Sequence, residues 1–177
     1  MKTLYLLRHG APEGAIGTGA RCLGSTEAEL SPQGRFQAAL AGIWLEGQAD
    51  AIWSSPLNRC RQTAHIAFGT YQVEPDLREI HMGAWDGLPF DTIRAQWPEL
   101  YRKRGEDPIH VVPPGGEAPE EALARMERAL LRIAQETEGT AAVVAHAGLL
   151  RLFLCKAEGR PLRDEFSLSQ PYGCVNK

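Results

Sequence analysis

Cysteine is scarce in this chain, and what little there is does not cluster. Cys22, Cys60, Cys155 and Cys174 are far apart in the 177 residues, with no Cys-x-x-Cys pair and no histidine at ligand spacing. A zinc site or redox dithiol is therefore excluded as a first reading, and reduced thiols in a cytoplasmic protein are expected. Long apolar runs are also missing. The first, Leu4 to Leu7, is broken by Arg8 and is too short for a signal peptide core, and nothing approaches membrane-spanning length. Nor is there an excess of positive charge. A net charge of −3 provides no field for nucleic acid or an anionic membrane, so neither is expected as a partner. Internal repeats and low-complexity tracts are absent.

What remains is an ordinary single-domain composition, 44% hydrophobic and 23% charged, with enough apolar residues for one sizeable core. Short continuous apolar runs at Leu4–Leu7, Ala51–Trp53 and Ala141–Ala145 read as strands buried on both faces. Amphipathic segments lie between them. Phe36, Leu40 and Ile43 recur at helical spacing, as do Leu123, Met126, Leu130 and Ile133, and both sets are expected to pack into the core. Ser31-Pro32 and Ser55-Pro56 each offer a hydroxyl cap followed by proline at the first helical position, and Ala118-Pro119 is a weaker version. Gly47 and Gly139 suit the chain reversals that follow helices. Strand–helix alternation implies a three-layer α/β/α sandwich around a mostly parallel sheet. Residues 74–116 break this rhythm. Rich in proline and glycine, with Trp85 and Trp97, they read as a small inserted cap with a helix near Asp91–Trp97.

The opening run ends in "LLRHG", delivering a cation, an imidazole and a glycine together. In parallel α/β sheets, ligands bind beyond the carboxyl ends of the strands. There Arg8 and His9 would meet His146, which follows the run "AAVVA". Arg59 would join them from the first turn of the helix after "WSSPLN", leaning back over the strand end. Two imidazoles and two guanidiniums at one sheet edge would make an anion pocket that contains a nucleophile.

These residues carry a resemblance. "LRHG", "RCLGSTEAELSPQG", "SSPLNRCRQTA", "LREIHMGAWDG", "PPGGE" and "VVAHAGLLR" resemble, in order, six blocks of the histidine phosphatase, or phosphoglycerate mutase-like, superfamily. The resemblance implies that His9 is a nucleophile that becomes transiently phosphorylated. It implies that Arg8, Arg59 and His146 complete the phosphate pocket, that Glu79 is the general acid, and that Arg21 contacts substrate. The unreacting nitrogen of His9 would carry the proton and donate it to a fixed acceptor, with a carbonyl at Gly10 as the candidate. The mechanism needs no metal or other cofactor. Only 67 residues separate Glu79 from His146 (146 − 79), short for a mutase cap, so a phosphatase of a small phosphorylated metabolite is expected. Among phosphatases the chain most resembles α-ribazole phosphatases, making α-ribazole 5′-phosphate one candidate substrate. A mutase-type phosphotransferase and a regulatory module that binds phosphorylated ligands are the alternatives. Ala11-Pro12, Leu23 and Glu27 depart from the family pattern and bear on contacts to the rest of the substrate. At Lys177 the chain stops where the family supplies a closing strand, so a missing or very short edge strand is expected, from a trimmed end or a longer parent protein.

Overall fold

The computed structural model describes residues 2–15 and 17–177. Five strands form one sheet: β1 (Thr3–Arg8), β2 (Ala51–Ser54), β3 (Gln72–Val73), β4 (Thr140–Ala145) and β5 (Val175–Asn176), in the order β3-β2-β4-β1-β5. All neighbours are parallel except β5, which pairs antiparallel with Leu6 and Leu7. The expected very short edge strand is thus present as two residues.

Alternation along the strands divides the core. Leu6, Trp53, Val143 and Ala145 face α5 (Pro119–Glu136) and α6 (Ala147–Ala157), where Met126, Leu130, Ile133, Leu149 and Leu150 are buried. Leu7 and Val144 face the opposite side, against α1 (Pro32–Trp44) and α2 (Asn58–Phe68). Burial on both faces is what the unbroken apolar runs require. The helical spacing read in α5 also reports its core face correctly.

The expectation for α1 is overturned. Phe36 and Ile43 are 64% and 70% exposed, and Leu40 and Trp44 are also on the surface. Small residues, Gly34, Ala38 and Ala41, face inward instead. The reason is close approach. A Cβ on Gly34 would lie 2.1 Å from the Ala11 carbonyl oxygen, and one on Gly42 would lie 2.5 Å from that of Ala67. The backbone contacts leave no room for large side chains on that face.

Ser31 caps α1 as expected, its hydroxyl accepting from Gly34 N–H at 3.1 Å. Ser55 does not cap α2. That helix starts at Asn58 behind Leu57, and the Ser55 hydroxyl is used elsewhere. Residues 74–116 hold a 3₁₀ turn at Pro75–Leu77, another at Gly83–Trp85, and the helices α3 (Phe90–Gln96) and α4 (Pro98–Glu106). No described helix is long and apolar enough to cross a membrane.

Candidate active site

Sheet register brings the two histidines together. β1 and β4 pair Arg8 with Ala145, so the next residues, His9 and His146, leave the sheet side by side, and His9 N–H donates to the Ala145 carbonyl at 3.1 Å. Their ring centroids are 5.1 Å apart. Both rings are buried. His9 Nδ1 lies 2.7 Å from the Gly10 carbonyl oxygen. A carbonyl only accepts, so Nδ1 carries the proton and Nε2 keeps its lone pair. Gly10 cannot be a larger residue, because its Cβ would sit 2.2 Å from the Gly34 carbonyl oxygen. The expected acceptor is in place, and the glycine of "RHG" is explained by packing against α1.

Burial, followed by the positive charges of Arg59 and Arg8, holds the His9 imidazole well below its ordinary pKa, against the opposing pull of the Gly10 hydrogen bond. His146 shifts the same way through burial, then Arg59 and His9. Both are neutral at pH 7. The His146 ring is fixed by the Ser55 hydroxyl, 2.7 Å from Nε2, with Cys60 Sγ 3.4 Å from the same nitrogen.

Arg59 is 1% exposed, in the first turn of α2. Its Nη atoms donate to the carbonyls of Thr26 (2.8 Å) and Gly24 (2.7 Å), while Nε is buried and has no described partner. Arg8 repeats the pattern. Its Nη1 donates to the Gln170 carbonyl, its guanidinium lies 3.6 Å over the Tyr172 ring, and its Nε is likewise unpartnered. Two guanidiniums, that of Arg59 buried and that of Arg8 half-buried, each with an unmatched N–H, suit the oxygens of a phosphoryl group.

Glu79 reaches the N-terminus of α6. Its Oε2 accepts from Gly148 N–H at 3.1 Å, and Oε1 from Leu149 N–H and Ile80 N–H, both at 3.0 Å. The carboxylate therefore lies beside the turn that carries His146. Arg21 is different. Its exposed guanidinium donates to the Gly87 carbonyl at 2.8 Å, away from the contacts that join the other five residues.

Several supporting residues escaped the sequence reading. Asp86 accepts from the N–H groups of Gly24, Ser25 and Thr26 and from the Thr26 hydroxyl, fixing the loop whose carbonyls hold Arg59. Burial raises the Asp86 pKa, but these hydrogen bonds outweigh it and hold the carboxyl below its ordinary value. Arg125, buried on α5, donates to the carbonyls of Asp76, Arg78 and Glu79 and pairs with Glu117 at 2.7 Å, clamping the segment that presents Glu79. A charged residue beside the apolar stripe of α5 was the available signal. Gln170 and Tyr172 hold Arg8 from a C-terminal segment that carries no recognisable pattern.

Beside Glu79 opens a cavity of about 420 Å³, walled by Trp85, Tyr101, Arg104, Arg151, Glu165 and Phe166 among others. No group of three metal-ligating side chains occurs among the described residues.

Known proteins resemble this chain in sequence and in fold. A bifunctional protein of Mycobacterium tuberculosis is 35% identical over 158 residues, covering 85% of this chain and 43% of that protein. The chain thus spans less than half the length of the first curated relatives it matches. Among solved structures, Bacillus stearothermophilus YhfR is 29% identical with a TM-score of 0.90, covering 99% of this chain and 89% of that one. A mycobacterial glucosyl-3-phosphoglycerate phosphatase, solved with VO3, is 30% identical with a TM-score of 0.87, covering 99% and 91%. A family model matches residues 4–177, nearly the whole chain, and by that match the protein belongs to the histidine phosphatase superfamily, branch 1.

Proposed function

We propose that the protein is a phosphomonoesterase that passes the phosphoryl group of a small metabolite to His9 and then to water. The observation that carries this reading is the His9 ring. Its Nδ1–H is committed to the Gly10 carbonyl, its burial keeps it neutral, and its Nε2 is left as the nucleophile, beside a second neutral imidazole and two unmatched guanidinium N–H groups. Family membership and the phosphatase among its structural relatives support the same chemistry.

In the first step the Nε2 lone pair of His9 bonds to phosphorus while the bond from phosphorus to the ester oxygen breaks. Arg8 and Arg59 hold the equatorial oxygens, whose charge is spread in a loose transition state. Glu79 acts as the general acid and gives a proton to the departing oxygen, so the alcohol leaves neutral. The carboxylate so formed is received by the N–H groups of Gly148 and Leu149. In the second step water attacks the phosphorus of phosphohistidine, Glu79 takes the proton, and the N–P bond breaks to return neutral His9 and inorganic phosphate. Ser55 orients His146 beside His9. Arg21, at the surface, serves the substrate's approach.

Hydrolysis of phenyl phosphate tests the reading. The wild type should turn it over, and His9→Ala should lose that turnover while still binding vanadate. Binding without turnover in both proteins would replace the enzyme with a phosphate-ligand-binding module. α-Ribazole 5′-phosphate and glucosyl-3-phosphoglycerate belong in the same screen as candidate natural substrates.

A further inference from the structure

The cavity beside Glu79 has one wall that the phosphoryl chemistry does not use. Glu165, in the 3₁₀ segment Leu162–Ser167, lines it and is 2% exposed. Its carboxylate neither accepts a hydrogen bond nor pairs with a cation among the described residues. A carboxylate buried in this way costs several kcal/mol unless something answers it. Neither neighbouring cation comes within ion-pair distance of the Glu165 carboxylate among the described residues. Arg104 donates through Nη1 to the carbonyls of Pro108 (3.1 Å) and Val111 (2.6 Å), and Arg151 through Nε to that of Leu168 (2.9 Å). The rest of the wall is largely apolar and aromatic, with Trp85, Tyr101 and Phe166 prominent, and its volume lies in the range of small-ligand sites.

We propose that this cavity seats the alcohol part of the phosphate ester, and that Glu165 selects an alcohol with a flat, apolar ring bearing a cationic or N–H donor group. The proposal rests on the phosphatase reading, because it places the ester oxygen at Glu79 and the ring beyond it. Aromatic walls favour a ring over a polyol, whose hydroxyls would lose their hydration against Trp85 and Phe166. The donor then answers the Glu165 carboxylate, an acceptor in the wall that has no partner among the described residues. Burial raises the Glu165 carboxyl to about 7, with Arg104 pulling it down, Glu79 pushing it up and Arg151 pulling it down. A cationic ring substituent should accordingly bind better above neutrality, where Glu165 is ionised.

Three esters of matched shape decide the matter: phenyl phosphates carrying an aminomethyl, a methyl or a carboxymethyl group para to the ester. For the wild type at pH 8, kcat/KM should be highest for aminomethyl, exceeding methyl by at least about tenfold, the scale of one hydrogen bond to a charged group. Carboxymethyl should be poorest. In Glu165→Gln the ratio of aminomethyl to methyl should fall towards one, a ratio that is insensitive to any general loss of activity. Equal turnover of the aminomethyl and methyl esters by the wild type, or an unchanged ratio in Glu165→Gln, would overturn this proposal and leave the phosphatase standing. Preference for the carboxymethyl ester would also overturn it, assigning the wall to Arg104 and Arg151. No turnover of any ester would overturn both readings.

Discussion

Acidification between pH 6 and 5 should weaken the fold by an amount set by three buried groups. Unfolded, His9 and His146 each take up a proton below about pH 6.5. Folded, burial and the charge of Arg59 keep both neutral. Across this window the unfolded chain therefore binds two protons more at these sites, and stability falls as pH falls. Glu165 has the opposite sign. Its carboxyl titrates near 7 in the fold, against an ordinary 4.5, so the folded state keeps a proton that the unfolded state has lost. The difference is one proton, or about 1.4 kcal/mol of stability lost per pH unit. Two variants separate the contributions. Glu165→Gln removes the opposing group, and the loss should steepen to about 2.7 kcal/mol per unit. His9→Ala removes one imidazole, and the slope should flatten towards zero. Asp86 and Glu117 are buried enough to be raised, but their hydrogen bonds bring them below ordinary values, so they titrate under this window. Urea unfolding at closely spaced pH values reads the slope directly, whatever each substitution does to absolute stability. A flat wild-type profile, or one that Glu165→Gln leaves unchanged, would refute the assignment of these charges.

Three further substitutions probe the site. Arg59→Ala should cut turnover of an aryl phosphate by about 10²–10³, as loss of a charge-stabilising donor does elsewhere; near-normal turnover would remove Arg59 from the phosphoryl pocket. Gly148→Ala would place a Cβ 3.0 Å from Glu79 Oε1, so the carboxylate must shift. Its kcat should drop by up to about 10² with little change in melting temperature, and steady-state kinetics beside a thermal scan will show whether it does. Arg125→Ala takes from half-buried Glu117 its closest cation, leaving it the His81 N–H and Arg78, and releases the carbonyls of Asp76, Arg78 and Glu79. A stability loss of about 1–3 kcal/mol in chemical denaturation is expected from the carbonyls left without a donor, and no measurable loss would show that the clamp is unimportant.

The sequence was most readable where one residue type serves one purpose. Apolar runs buried on both faces had to be strands, and β1, β2 and β4 lie where those runs are. The ends of β1 and β4 then bring His9 and His146 together through register alone, and Arg59 follows from its place in the first turn of α2. Legibility failed where context reverses a local rule. Phe36, Leu40 and Ile43 have helical spacing, yet α1 approaches its neighbours so closely that only glycine and alanine fit inside, and the large side chains point outward. Ser55 has the look of a helix cap, but it sits beside β4 and its hydroxyl is taken by His146. Asp86, Arg125 and Glu165 act through backbone carbonyls, amides or a cavity wall assembled from distant segments, and no spacing along the chain marks such partners. β3 is only two residues long and exposed, too short for any pattern.

The most direct test of the central claim is to find where the phosphoryl group rests between the two steps. Mixing the protein with a fast aryl phosphate, quenching in alkali and mapping the phosphopeptide should recover phosphate on His9, labile to acid and stable to base, and none in His9→Ala. Recovery on another residue, or rapid hydrolysis with no phosphoenzyme and undiminished activity in His9→Ala, would contradict the account.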